Sequence, residues 1–462
     1  MADRLRNLYR RLPPWAQTLA ATAHGLRLRR TRYGADLERQ VAETLQRDQW
    51  SEADWRSWRD ERLRAILARA AARVPRYREF WSDPALSRGR DPSRLEDWPL
   101  LEKAPLRADP CAYVADDRDP ARMVEDHTSG TSGTPLRIWM SRECARRWYA
   151  IYEARCRRWH GVSWRDRWVN IGGQLVAPVE RRQPPFWTRN LALNQLYMSS
   201  YHLAPDLIPH YLDKLARFRP AFLLGYTSSL HALAQGMLSA GRSDVRPKVV
   251  ITNAEPLDAR QRKEMAEAFG CPVRETYGMA ELGAAAGDCP SGGLHLWPDV
   301  GILEVLDDQG RPVPPGTVGE LVVTGLLNDD MPLIRYRVGD RGALLGDDAP
   351  PCPCGRKLPR LLGLEGRSDD LLWTADGRRV GRLDPVFKAD YPILEAQIVQ
   401  DSLDCVRVVV VPAPGFDDSA ERAIAQKLQE RLGPMKIEFQ RVDQVPRERN
   451  GKFRAVVCRV AR

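Results

Sequence analysis

No stretch of about eighteen apolar residues occurs in the 462-residue chain, so the sequence offers no segment able to cross a bilayer as a helix. It also lacks a secretory pattern near its start. The apolar run from Trp15 to Ala23 is short, interrupted by polar residues and without a clean cleavage site. The nine cysteines are odd in number and unevenly spaced, which argues against a disulfide framework and fits a reducing compartment. These absences predict a cytoplasmic protein. Internal repeats and low-complexity tracts are missing too. No RNA-recognition motif interleaves aromatics with the basic residues, so a nucleic-acid partner is not expected.

What is present is the composition of a large globular enzyme: 43% hydrophobic and 29% charged residues, enough chain for two or three units. The net charge of +10 comes mainly from arginine, and Arg4, Arg6, Arg10, Arg11, Arg27, Arg29, Arg30 and Arg32 crowd the beginning. Such a surface attracts anionic lipid, nucleic acid or an anionic substrate, and equally serves as plain solvation. A weak peripheral contact of this segment with a membrane or a protein is one reading.

Residues 36–82 are rich in helix formers, with Leu63, Ile66, Leu67 and Ala70 at helical spacing until Pro75 ends the pattern. We read residues 1–74 as an arginine-rich helical segment. From about 120 to 340, short apolar runs (Trp168 to Ile171, Ala221 to Leu224, Lys248 to Thr252, Gly319 to Thr324) alternate with helix-like stretches (Leu230 to Ala240, Asp258 to Phe269). That alternation signals α/β structure, and "GRPVPPGTVGELVVTG" adds a turn and a strand of a β-rich part near residue 300. The strand Cys405 to Pro412, the helix Asp418 to Leu432 and the strand Ile437 to Val442 predict a small α+β unit. The expected fold is α/β: a large domain over 75–366, with mixed α/β layers and a β-rich subdomain, a hinge at 367–370, and a small, mobile C-terminal α+β domain over 371–462.

"HTSGTSGTPLRI", from His127 to Ile138, has glycines that let backbone N–H groups approach an anion and hydroxyls that donate to it. It carries no lysine and matches neither a P-loop nor a dinucleotide fingerprint. Taken singly it is an ordinary loop. Four further stretches follow it in order. Asn253-Ala254-Glu255-Pro256 and Tyr277-Gly278-Met279-Ala280-Glu281 each end an apolar strand, "MPLIRYRVGD" ends in Asp340, and "GRSDD" carries Arg367.

With these five features the sequence resembles the adenylate-forming superfamily, and within it phenylacetate-CoA ligases and their relatives associated with capsular-polysaccharide genes. The resemblance runs from about residue 75 to the C-terminus. It implies that Thr128, Ser129, Gly130, Thr131, Ser132, Gly133 and Thr134 line the phosphates of ATP. Thr134 stands where many members carry lysine. Ala254, Glu255 and Pro256 would flank the adenine, with Tyr277 and Gly278 on its other side. Glu281 would hold magnesium, Asp340 the ribose hydroxyls, and Arg367 would assist at the ribose. These roles suit the residues: a carboxylate is a hard ligand for magnesium, an aspartate accepts from a vicinal diol, and a tyrosine face suits a purine.

In "VPRERNGKFRAVV", Lys452 matches the lysine that reaches from the small domain to the carboxylate and the α-phosphate. Asp369 matches the position about which that domain turns. The implied chemistry activates a small aryl or other carboxylic acid as an acyl-adenylate with loss of pyrophosphate. Coenzyme A, another thiol or an amine then takes the acyl group. Gly225, Tyr226, Thr227 and Met279, with the "NIGGQ" stretch from Asn170 to Gln174, are expected to draw up the acid pocket.

Cys352 and Cys354 in "CPCG" are spaced more tightly than the usual zinc pair, so alone they only suggest a metal. Cys289 and His295, about sixty residues earlier, would complete a tetrahedral structural zinc set that resembles one in the phenylacetate-CoA ligase group. Two other readings stay open from sequence: an adenylyltransferase that leaves AMP on its acceptor, and a basic, zinc-stapled protein without catalysis.

Overall fold

The computed structural model describes residues 8–127, 136–346, 348–365, 371–380, 383–387, 391–443, 445 and 455–460. Thr128 to Thr134, Arg367, Asp369 and Lys452 lie outside the described residues.

The chain opens with helices α1 (Pro14–Arg32), α2 (Leu37–Arg47), α3 (Glu52–Arg73) and α4 (Pro75–Ser82). Ser51 caps α3 and exchanges hydrogen bonds with Asp54 in a capping box. Pro75 ends the helical pattern as the spacing predicts, with α3 closing at Arg73. It stands in the first turn of α4, where its fixed φ and missing N–H are tolerated, so one proline closes a helix and starts the next. Trp55, Ile66, Leu67 and Ala70 of α3 join the same core as the central sheet, and this segment is therefore built into the large domain's packing.

A hairpin of β1 (Val124–His127) and β2 (Arg137–Met140) precedes α5 (Arg142–Tyr152). Then come β3 (Trp168–Gly172), β4 (Trp187–Asn190), β5 (Gln195–Ser199), α6 (Ile208–Phe218), β6 (Phe222–Tyr226), α7 (Thr227–Ser239), β7 (Val249–Asn253), α8 (Ala259–Phe269), β8 (Val273–Gly278), β9 (Ala285–Asp288) and β10 (Leu294–Leu296). They form an eight-stranded sheet in the order β10-β9-β8-β7-β6-β3-β5-β4, parallel from β5 to β8. Side chains alternate across it. Phe222, Leu224, Val249 and Ile251 enter one core, while Leu223, Val250 and Val273 enter a second on the opposite face. The apolar runs read from sequence are thus strands covered on both sides.

An antiparallel sheet follows: β11 (Gly301–Leu306), β12 (Gly319–Gly325), β13 (Tyr336–Leu344) and β14 (Leu361–Glu365). The small domain carries the short pair β15 (Leu372–Trp373) and β16 (Arg379–Val380), then β17 (Ile393–Ser402), β18 (Cys405–Pro412), α9 (Asp418–Leu432), β19 (Lys436–Arg441) and β20 (Val456–Cys458). Its sheet runs β19-β18-β17-β20. The expected strand 405–412 and helix 418–432 stand as read.

Arg378 fastens this domain to the large one. Its guanidinium donates to the carbonyls of Tyr201 (2.6 Å), Arg431 (2.9 Å) and Leu432 (2.9 Å), so one buried cation meets the C-terminal end of α9 and the large domain together. Leu175, Val179 and Tyr201 pack into the small domain's core.

Candidate active site

In a doubly wound sheet, ligands sit beyond the C-terminal ends of parallel strands, where connecting segments diverge. Here the ends of β7 and β8 open into a cavity of about 650 Å³. Its wall includes Asn253 to Pro256 after β7, Glu275 to Leu282 around the end of β8, and Asp340 from β13. The structure thus gathers Ala254, Glu255, Pro256, Tyr277, Gly278, Met279, Glu281 and Asp340, which are spread over 87 sequence positions.

Ala254 has φ 64°, a left-handed conformation that is strained for a residue with a β-carbon. The turn is held by Glu255. Its carboxylate accepts from Ser228 N (2.7 Å) and Ser228 Oγ (3.1 Å) at the start of α7, and its carbonyl accepts from Thr227 Oγ1 (3.0 Å). Thr227 and Ser228 therefore support this turn from behind. Gly225, Tyr226 and Thr227 are not among the residues lining the cavity, whereas Met279, expected with them in the acid pocket, is.

Glu281 is 8% exposed and accepts a hydrogen bond from Tyr336 Oη at 3.2 Å. Tyr277 Oη donates to Asp340 Oδ2 at 3.0 Å, joining the two sheets across the cavity. Glu275, which the motif reading passes over, also lines it. Burial, and then the neighbouring Asp288 charge, push its carboxyl up to about 7. Asn253 Oδ1 and Trp297 Nε1 are buried polar atoms of lining residues without a hydrogen-bond partner among the described residues. They leave one acceptor and one donor for a ligand.

The other end of the cavity is aromatic. Trp148 and Tyr152 of α5 and Trp297 form a mutual cluster, with ring centroids 5.9 Å, 6.0 Å and 6.3 Å apart, and Tyr149 stands beside them on the wall. A β-carbon on Gly278 would stand 3.9 Å from Trp148, so the aromatic wall adjoins the end of β8 directly. Leu28, Thr31 and Arg32 of α1 close the enclosure, with the Arg32 guanidinium 4.5 Å from the Tyr149 ring centre. The "RWYAIY" pattern of α5 was the available signal for this wall. It reads equally as a core-facing helix stripe.

A second constellation lies apart from the cavity wall. The donor atoms of Cys289, His295, Cys352 and Cys354 all fall within 4.8 Å of one another. Cys289 and Cys352 sulfurs are 3.6 Å apart, and Cys354 Sγ is 3.4 Å from His295 Nε2. Tetrahedral zinc–thiolate bonds of ~2.3 Å imply a sulfur–sulfur edge of ~3.8 Å, close to this spacing. His295 Nδ1 is 3.0 Å from the Leu358 carbonyl, which turns Nε2 toward the sulfurs. The four residues can hold such an ion and would fill its coordination.

The AMP-binding enzyme family model matches residues 57–328, and the CapK C-terminal domain model matches residues 372–459. The chain belongs to the AMP-binding enzymes and is an adenylate-forming ligase. Within that class it falls in the phenylacetate-CoA ligase-like, CapK branch. Protein CapK of Staphylococcus aureus is 27% identical over 347 residues, covering 73% of this chain and 74% of the relative. A phenylacetate-coenzyme A ligase of Thermus thermophilus is 26% identical over 447 residues, covering 87% and 96%. The fold is shared with 2-hydroxyisobutyryl-CoA ligase in its thioesterification state: TM-score 0.56, 22% identity, 89% of this chain and 91% of that one. The family match opens at residue 57, inside α3, earlier than the start near 75 expected from the motifs.

Proposed function

We propose that the enzyme activates a small aryl carboxylic acid as an acyl-adenylate and passes the acyl group to coenzyme A. The observation that carries this reading is the cavity itself, with strand-end acids and amides on one side and the Trp148–Tyr152–Trp297 cluster on the other. Planar aromatic walls favour a planar apolar ligand through burial and edge contacts.

In this reading adenine lies between the Ala254–Pro256 turn and the Tyr277–Gly278 strand end, with Asn253 Oδ1 as an acceptor for its amino group. Asp340, oriented by Tyr277, accepts from the ribose hydroxyls, and Arg367 assists there. Thr128 to Thr134 donate to the phosphates. Magnesium suits the Glu281 carboxylate, whose position Tyr336 fixes, and when bound would neutralise phosphate charge. The substrate carboxylate attacks the α-phosphorus in line and pyrophosphate leaves. Lys452 then offsets the charge that builds on the phosphate, a stabilisation strongest in the transition state. Asp369, in the hinge at 367–370, lets the small domain turn so that the thiol reaches the acyl carbon and AMP departs.

We assign a structural zinc to Cys289, His295, Cys352 and Cys354, since four protein donors leave no open position for chemistry. No helix of the described residues is long and apolar enough to cross a membrane. ATP, coenzyme A and reduced thiolates point to the cytoplasm as the place of this reaction.

A panel of carboxylic acids, scored for pyrophosphate release with and without coenzyme A, tests the reading. An aryl acid is expected to release pyrophosphate alone and free AMP only when coenzyme A is added. Lys452→Ala is expected to abolish acid-dependent ATP–pyrophosphate exchange while the protein stays folded. AMP left covalently on an acceptor, or exchange retained in that variant, overturns it.

A further inference from the structure

Helix α1 lies outside the family match, and its two faces differ in what they meet. One side is committed inward. Gln17 is buried and donates to the Val176 carbonyl at 2.9 Å, Gly25 packs tightly against Asn190, and Leu28, Thr31 and Arg32 line the cavity. The other side carries Trp15, Leu19 and Leu26, which are 68%, 60% and 47% exposed. At about 100° per residue these three fall within about 40° of one another, a single apolar stripe left exposed among the described residues.

Charge surrounds the stripe. Arg27, Arg29 and Arg30 are exposed, and none has a carboxylate within ion-pair distance among the described residues. From residue 1 to residue 35 the sequence has one acid, Asp3, against Arg4, Arg6, Arg10, Arg11, Arg27, Arg29, Arg30 and Arg32. A protein partner of ordinary mixed charge has no reason to meet such a one-signed rim. A surface that is uniformly anionic at its rim and apolar a few ångströms deeper does. A bilayer of anionic lipid has that layering, and tryptophan settles at its boundary.

We propose that the outer face of α1 is a peripheral docking surface for anionic membrane. Trp15, Leu19 and Leu26 enter the headgroup–acyl boundary while the arginines meet lipid phosphates. The inner face of the same helix then holds the wall formed by Leu28, Thr31 and Arg32 beside the lipid surface. This inference stands apart from the reaction proposed above, because it rests on exposure and charge rather than on the cavity's ligands.

Sedimentation of the full-length protein with vesicles tests it. Binding is expected to phosphatidylglycerol–phosphatidylcholine vesicles, to weaken as salt is raised, and to be absent with phosphatidylcholine alone. The triple variant Trp15→Ala, Leu19→Ala, Leu26→Ala is expected to lose binding by about tenfold or more. Its Tm and its solution pyrophosphate exchange should stay unchanged, since all three side chains face solvent. Arg27→Gln, Arg29→Gln, Arg30→Gln should remove the preference for anionic vesicles. Equal binding of wild type and the apolar triple variant, or no anionic preference in the wild type, overturns the proposal. So does a concentration-dependent dimer that the triple variant abolishes in the absence of vesicle binding, which would give the face to a second copy.

Discussion

The Tyr277 hydroxyl donates a 3.0 Å hydrogen bond to the Asp340 carboxylate, and this bond ties the end of a parallel strand to the middle of a separate antiparallel sheet. It fixes the acceptor proposed for the ribose from a residue proposed to touch the base. Tyr277→Phe keeps the ring and removes this bond from the carboxylate. A hydrogen bond to a charged group is worth about 1.5–3 kcal/mol, so KM for ATP is expected to rise about tenfold or more with little change for the acid. Asp340→Ala should cost more. Pyrophosphate exchange against ATP concentration measures both.

The aromatic wall predicts the opposite split. Trp148→Ala removes an indole that adjoins Gly278 and borders Tyr152 and Trp297. Loss of an aromatic contact should lower kcat/KM for an aryl acid by about tenfold to a hundredfold, with KM for ATP within about twofold. Steady-state kinetics on the best acid of the panel decide it.

Glu275 gives a pH dependence with a definite sign. Its folded-state value of about 7 lies above the ordinary 4.5, so the protonated side chain favours the folded protein below about 4.5, and that contribution is lost as pH rises through about 7. Glu275→Gln mimics the protonated form. Thermal melts at about pH 5 and about pH 8 should show a smaller fall in Tm across that range for the variant than for the wild type.

Metal removal addresses the thiolate cluster. Protein purified without chelator is expected to hold about one zinc per chain, and Cys352→Ser to hold none and to melt at lower temperature. Zinc content read by emission spectroscopy, alongside Tm, separates a metal site from four unligated side chains.

A buried ion network predicts where the fold is least tolerant. Arg155 is fully buried; it donates to Asp48 at 2.9 Å and is also paired with Asp299. Arg155→Met leaves two buried acids without their shared cation and should cost about 3–5 kcal/mol, whereas Asp299→Ala, which leaves the cation paired with Asp48, should cost less. Denaturant melts measure the difference.

The parallel strands and the ends that carry Asn253 and Tyr277 were legible because a strand buried on both faces is an unbroken apolar run with its polar residues at its ends. The Cys and His cluster was legible from residue chemistry taken together with the family resemblance. Less was legible elsewhere. Gly225 to Thr227 end a strand just as Asn253 does, and only the chain path shows Thr227 donating to the Glu255 carbonyl. Trp148, Tyr149 and Tyr152 carry no local mark separating a pocket wall from a core stripe. Arg155 needs Asp48 and Asp299, which lie 107 and 144 positions away, so its role exists only after folding. For α1, sequence composition gave the charge, and exposure divided its apolar residues between inside and outside.

The four clustered Cys and His side chains come from two places about sixty residues apart, yet their donor atoms meet within 4.8 Å. The intervening chain, which includes Asp340, therefore departs from and returns to one point. This stretch has its strands anchored in the core through Val305, Leu321 and Tyr336. Its outer turns, such as Asp307 to Gly310, can lengthen or shorten without shifting either end, since surface loops absorb insertions at little entropic cost. Natural variation in length among relatives is expected to collect in those turns, while the spacing on either side of the clasp holds fixed.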